Sequence, residues 1–304
     1  RSTPAVVVTR RSFLAAGGGA AAAVLMGCLS SRTHAGREAR HDVHLTAADG
    51  RDVRVTVWPA SGVRRGTILF SHGALSAPEK YERLILPWSA AGFTVMAPLH
   101  VDSTDHPEHA NPAYGMLGSW RARLLDMRSL AAFAAVPYTA AGHSYGGLTA
   151  LTLGGAAAEV PPGLSGPLDD PRVTSVVAFS PPGVSPGLVT LEGYRTLKVP
   201  ALIETGDHDV PYNSKDGRWQ GHLAAYDAAP AGDKYALVLE GVDHYFGGLI
   251  CKFDAPGPPQ DAQLKAAVGV STVFIEAYGA RSGTARRRLN ASLSTSGPLR
   301  LARK

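Results

Sequence analysis

Between Ala140 and Thr149 the chain reads AAGHSYGGLT, which contains Gly142-His143-Ser144-Tyr145-Gly146, a G-x-S-x-G pattern. A serine hydroxyl alone is a weak nucleophile. It attacks a carbonyl carbon when a base takes its proton and an acid orients that base. Candidates for both follow later in the chain. LIETGDHDVPYN carries Asp207, His208 and Asp209, and LVLEGVDHYFGG carries Asp243 and His244. His244 is the candidate base toward Ser144, and afterwards the acid that protonates the leaving group. Asp209, three residues past Gly206, is the candidate orienting acid, with Asp207 as the alternative. Asp243 adjoins His244, and a sequence neighbour rarely points back to orient it.

Attack on a carbonyl builds negative charge on its oxygen, which two backbone N–H groups can hold. One candidate is the N–H of Tyr145, directly after the serine. The other is the N–H of Ala74 in FSHGALS, where Gly73 lets the backbone approach a substrate. Losing one such donor typically costs about 3 kcal/mol of transition-state stabilisation.

These groups need elements that bring them to one edge. From residue 41 onward, β-like and α-like segments alternate. HDVHLTA and DVRVTVWPA predict an antiparallel hairpin at a sheet edge, turning at Asp49-Gly50. GTILFSHG (66–73) is a continuous apolar run, as in a strand buried on both faces. Further strands are predicted at 93–100, 138–144, 173–180, 200–209 and 234–244, and helices near 76–92, 119–135, 145–158, 217–228 and 260–279. Ser144 thus falls where a short strand meets a helix. A sharp turn there lifts the hydroxyl above the sheet edge, and glycine at 142 and 146 keeps side chains out of a tight crossing. The helix N-terminus adds N–H groups and the positive end of its dipole. The alternation predicts an α/β fold class: a mostly parallel twisted sheet with helices on both faces. Residues 41–280 read as one domain, and the basic stretch 281–304, which lacks a core-forming pattern, as a disordered tail.

Taken in order, SHGA, GHSYGG, GDHD and DHYFGG resemble the α/β-hydrolase superfamily over roughly residues 45–280. Within it the chain is most similar to dienelactone-hydrolase-like, platelet-activating-factor-acetylhydrolase-like and cutinase-like esterases. It departs from dienelactone hydrolases proper, whose nucleophile is cysteine where this chain has Ser144. The resemblance implies a serine carboxylesterase or lipase-like hydrolase that cleaves esters through an acyl-enzyme, with Ser144, Asp209 and His244 as its triad and no cofactor or metal. Many members carry a helical cap after the sixth strand. Here only the stretch 181–199 separates that strand from the next, so no large cap is expected and the site should be open. The superfamily also holds cofactor-free perhydrolases and haloperoxidases. A non-catalytic ligand-binding lipoprotein on the same fold is the alternative from another class.

The net charge of +5 is unevenly placed: residues 1–40 hold six Arg and one Glu, and residues 281–304 hold six Arg and one Lys with no acid. The body between them is therefore acidic, which argues against a nucleic-acid partner. TRRSFLAAGGGAAAAVLMGC sets Arg10-Arg11 before Phe13-Leu14, then an uncharged stretch, then Cys28. That order predicts a twin-arginine export signal over 1–27, too short in its apolar part for a comfortable membrane span. Leu25-Met26-Gly27-Cys28 resembles a lipobox. It implies lipidation of Cys28, a tether over 28–40, and an exported, periplasmic or cell-surface lipoprotein held at the membrane. Lipid on Cys28 leaves Cys251 without an intramolecular partner, as a buried or partly buried free thiol.

HVDSTDHPEH (100–109) gathers His100, Asp102, Asp105, His106 and His109. Its spacings match no strong metal signature, and the loop is expected to wall a substrate pocket. His72, His100 and Tyr81 are the candidate pocket residues. Trp88 and Trp219 are expected in core or rim packing.

Overall fold

The short apolar runs become the strands of one sheet. A computed structural model describes residues 39–304 apart from Asn213 and Lys215. The segments expected to hold the export signal and the lipobox, with Cys28, lie outside the described residues. The strands are β1 His41–Thr46, β2 Asp52–Trp58, β3 Gly66–Ser71, β4 Phe93–Pro98, β5 Tyr138–His143, β6 Val173–Phe179, β7 Ala201–Gly206, β8 Lys234–Leu239 and β9 Leu299–Arg303. Their order across the sheet is β1-β2-β4-β3-β5-β6-β7-β8-β9. Pairings from β4 through β8 are parallel; β1 on β2, β2 on β4 and β9 on β8 are antiparallel. The β1–β2 hairpin turns where expected, at Asp49-Gly50, and pairs from His41↔Val57 to Thr46↔Asp52.

The helices are α1 Glu82–Ala90, α2 Met116–Ala134, α3 Tyr145–Leu153, α4 Leu191–Tyr194, α5 Ala224–Ala228, α6 Asp261–Tyr278 and α7 Gly283–Ala291. They cover both faces. Alternate strand residues point to opposite faces, so one layer gathers Phe70, Phe179 and Leu237 with Trp88 of α1 and Phe274 of α6. The other gathers Leu69, Val176 and Ile203 with Trp120 of α2 and Leu151 of α3. Each such side chain, fully buried, contributes roughly 1.5–3 kcal/mol.

The connections explain where a site forms. From β3 the chain crosses one face through α1 to β4. It then crosses the other face through α2 and returns to β5, on the opposite side of β3. The strand order reverses between β3 and β5, and in open α/β sheets ligands bind in the crevice beyond the carboxyl ends of the strands at such a switch point. Between β6 and β7 the only helix is the single turn α4, so no separate cap covers that crevice. No helix among the described residues is long and apolar enough to cross a membrane.

One expectation is corrected. Residues 281–304 are not a structureless tail. The Ser282 side chain accepts the Ala285 N–H at the start of α7, and Ala285 and Leu289 are buried on one face of that helix. β9 then pairs along β8 from Tyr235↔Arg303 to Leu239↔Leu299, with Leu301 fully buried. The run of arginines at 286–288 masks an apolar i, i+4 pair. The strand LRLAR is short, and its charges are taken up by partners far away in sequence: Arg300 with Asp207 and Arg303 with Asp233.

Candidate active site

Ser144 stands between β5 and α3 with φ 54 and ψ −121, a backbone conformation that a side chain rarely adopts. Its N–H donates to Phe179 O at 2.8 Å, which pins the turn to the neighbouring strand β6. The two flanking glycines are sterically required. A Cβ at Gly142 would collide with the carbonyl of Gly146, and one at Gly146 with the carbonyls of Ser71 and His72. The Ser144 side chain is half-exposed, and among the described residues its hydroxyl has no hydrogen-bond partner. Hydroxyl-to-base contacts often tighten only when substrate is present.

His244 follows β8 and comes to the same corner. Its ring lies 4.7 Å, centroid to centroid, from that of His143, the residue before Ser144, and its backbone carbonyl accepts from His143 Nε2 at 2.9 Å. His244 Nδ1 donates to Asp209 Oδ1 at 2.8 Å, which leaves Nε2 for another partner. Asp209 is buried, and Thr205 Oγ1 donates to its Oδ2 at 3.2 Å. Burial alone would raise the Asp209 pKa. The contacts from His222 and His244 outweigh it and hold the carboxyl well below its usual range, so it stays a carboxylate facing the imidazole.

The other two acids are committed elsewhere. Asp207 accepts the Gly241 N–H at 2.7 Å and pairs with Arg300 at 3.1 Å. Asp243 accepts the Tyr245 and Gly247 N–H groups and the Gln260 amide, shaping the loop that carries His244. A histidine that the sequence reading missed completes the group. His222 Nδ1 donates to Pro181 O at 2.7 Å, and its Nε2 lies 2.9 Å from Asp209 Oδ1, off the line of a good hydrogen bond. His222 and His244 stack at 5.7 Å, and both reach the same oxygen, Asp209 Oδ1. Asp209, His222 and His244 bring potential ligand atoms within 4.8 Å of one another. That closeness follows from the imidazole–carboxylate contacts themselves.

The same architecture recurs in solved structures. Thermogutta terrifontis esterase 2, phosphoramylated by tabun, matches 79% of this chain and 94% of its own at 13% identity with a TM-score of 0.56. A dienelactone hydrolase from Anabaena variabilis matches 79% and 99% at 15% identity with a TM-score of 0.52. The esterase domain of a Rhodothermus marinus protein matches 79% and 98% at 14% identity with a TM-score of 0.52. The chain has the α/β-hydrolase fold. No protein-family model matches the chain. No curated protein matches its sequence.

In this α/β-hydrolase fold both N–H groups singled out for an oxyanion are free. Tyr145 is the first residue of α3, where a helix leaves its N–H groups without intrahelical partners. Neither its N–H nor that of the exposed Ala74 has a partner among the described residues.

His72, His100 and Tyr81 do not line an open pocket. All three are fully buried, and their polar atoms are used internally. His100 Nδ1 donates to Asp126 Oδ2 at 2.8 Å, and its Nε2 accepts from Ser71 Oγ at 2.9 Å. His72 Nδ1 donates to Gly73 O at 2.7 Å, while Nε2 accepts the His100 N–H at 3.0 Å. Burial, followed by neighbouring positive charge, holds both histidines well below their usual pKa and hence neutral. Burial pushes Asp126 up to about 7 against the pull of Arg51, which lies 2.8 Å from it. Ser71, His100 and Asp126 thus repeat the residue types and bond order of a catalytic triad, but all are sealed from solvent. The rest of the 100–109 loop does not wall the site either. Asp102 pairs with Arg123 at 2.7 Å. Asp105, His106 and Glu108 line a surface cleft with Arg51, Arg54 and Tyr114. Cys251 is a buried free thiol, as expected.

Proposed function

We propose that the chain is a serine hydrolase that cleaves carboxylic esters through an acyl-enzyme. The observation that carries this reading is a strained, partly exposed Ser144 at the switch point of an α/β sheet, at the same corner as His244, whose ring packs on His143 and is itself held by the buried carboxylate of Asp209. Ser144 Oγ attacks the ester carbonyl carbon as His244 Nε2 takes the hydroxyl proton. The carbonyl oxygen gains the negative charge and is met by the N–H groups of Ala74 and Tyr145. Collapse breaks the carbon–alkoxy bond, and the alkoxide leaves with the proton from His244. Water repeats the sequence on the acyl-serine, releasing the acid and restoring Ser144. The absence of a cap among the described residues favours chain-like or amphiphilic esters over small enclosed ones.

The test is labelling of the full chain with a fluorophosphonate, read by peptide mass spectrometry, beside hydrolysis of short and medium p-nitrophenyl esters. Label on Ser144 and loss of turnover in Ser144→Ala are expected. Undiminished turnover in that variant, or no label on an otherwise folded protein, would point instead to a binding protein on the same scaffold.

The sequence around Arg10-Arg11 and Cys28 supports a proposal about location: export through the twin-arginine route and anchoring by lipid on Cys28. Cys28→Ser should move the protein from the membrane to the soluble fraction, and unchanged partitioning would defeat the anchor.

A further inference from the structure

Arg123 is a fully buried guanidinium on α2, and all five of its N–H donors have acceptors. Nε and Nη2 form a two-point pair with Asp102 at 2.9 and 2.7 Å. Nη1 donates to His72 O at 2.7 Å and to Ser71 Oγ at 3.2 Å. The remaining Nη2 hydrogen goes to Gly73 O at 3.2 Å. The Gly73 carbonyl also accepts from His72 Nδ1 at 2.7 Å. On the other side of the same residue, the Gly73 N–H donates to Tyr81 Oη at 2.9 Å.

The peptide plane turns these contacts into a direction. In a trans peptide the C=O of one residue and the N–H of the next point opposite ways. The Gly73 carbonyl is held by Arg123 and His72, with the Ser76 N–H as a more distant third donor at 3.3 Å, and fixing it inward fixes the Ala74 N–H outward, where it has no partner among the described residues. The guanidinium also lies 4.5 Å over the Tyr145 ring, and that ring stacks on Trp120, one helical turn before Arg123, at 5.8 Å. A single side chain thus bears on both residues whose N–H groups would face the oxyanion. Its charge is already matched by Asp102, so its effect is aim rather than field.

We propose that Arg123, with His72, is a positioning residue of the oxyanion hole, touching no substrate and setting the direction of the Ala74 N–H and the seat of Tyr145. This rests on the serine-hydrolase reading of Ser144. Arg123→Lys keeps a cation opposite Asp102 but cannot span the two carbonyls. His72→Phe keeps an aromatic ring and the Arg123–Asp102 pair while removing the donor to Gly73 O and the acceptor of the His100 N–H. In both, kcat on a p-nitrophenyl ester should fall about 10- to 100-fold, the scale of a small misplacement of reacting groups. KM should stay within about threefold, because the lost interaction exists only in the transition state. Inhibition by an alkyl boronic acid, whose tetrahedral adduct on serine puts an oxygen in the hole, should weaken in step with kcat/KM.

A variant that keeps kcat and boronate affinity, whatever its melting temperature, overturns the proposal, since that is how a purely structural arginine behaves. If Arg123→Lys does not fold, His72→Phe decides alone. Wild-type protein that neither turns over esters nor takes a fluorophosphonate on Ser144 overturns the hydrolase reading and this inference together. An active wild type with insensitive variants overturns this inference only.

Discussion

Tyr81 and His143 meet hydroxyl to Nδ1 at 3.0 Å, and that contact joins the loop of Ala74 to the loop of His244. The Tyr81 oxygen accepts the Gly73 N–H at 2.9 Å and its proton points to His143. The far side of the His143 ring donates to His244 O at 2.9 Å. Burial and the adjacent His244 hold His143 well below its usual pKa, so the ring stays neutral, accepting at one nitrogen and donating at the other.

Tyr81→Phe tests this bridge. The ring keeps its packing on Phe70 at 4.9 Å, but the buried Gly73 N–H and His143 Nδ1 both lose their partner. We expect about 1–3 kcal/mol less stability in urea unfolding, the cost of a buried group left unsatisfied. Ester turnover should fall with it. Unchanged stability would mean that water replaces the hydroxyl.

Asp209→Asn should lower kcat by about 10⁴-fold, since an amide favours the wrong tautomer of His244. It also has a pH signature. The native carboxyl titrates below its unfolded value of about 3.9. Its contribution to stability is therefore complete above that value and is lost as pH falls through the lower native pKa. The difference in unfolding free energy between wild type and variant should shrink from pH 5 to pH 2. A difference that grew on acidification would contradict the assignment.

Glu204 carries the opposite sign. It lies on β7, fully buried, and both its oxygens lack partners among the described residues. Burial, then the nearby Asp209, pushes its pKa well above the usual range. The folded state keeps a proton that the unfolded chain releases above about pH 4.3. Stability from this group is present at low pH and declines as pH rises. Glu204→Gln should therefore gain on wild type steadily from pH 4 to pH 8 in denaturant titrations, with a constant offset between the two as the contrary result.

Ending the chain before Leu299 removes β9. It uncovers the edge of β8, loses the buried Leu301 and leaves Asp207 without Arg300. Burial of one such leucine is worth roughly 1.5–3 kcal/mol. A lower melting temperature and concentration-dependent aggregation through the open edge are expected. A truncated protein as stable and monodisperse as the full chain would show that β9 is dispensable.

The parts of this molecule that were readable in sequence are those whose physics is local. A continuous apolar run gave β3, and a short run of small residues gave β5. The glycines around Ser144 gave the turn, and the loops after β7 and β8 gave Asp209 and His244. His222 was not readable. It sits in QGHLAAY without a motif, and only the return of the chain past Pro181 brings it to Asp209. His72, His100 and Tyr81 misled because their types suit a pocket wall, whereas Asp126 on α2 draws the His100 ring inward and the His72 ring is taken up by Gly73 O and the His100 N–H. The arginines of α7 misled because their solvent-facing charge concealed Ala285 and Leu289.

Ser71, His100 and Asp126 show what reactivity requires beyond order. The hydroxyl there has a base, and the base has an acid, yet no acyl group has a route or a volume in which to arrive, and the Arg123 guanidinium already occupies the oxygen's spare lone pair. Two such constellations lie on neighbouring strands of one sheet. On the proposed reading, chemistry belongs to the one whose serine is held in a costly backbone twist at the open end; the other uses the same affinities for cohesion.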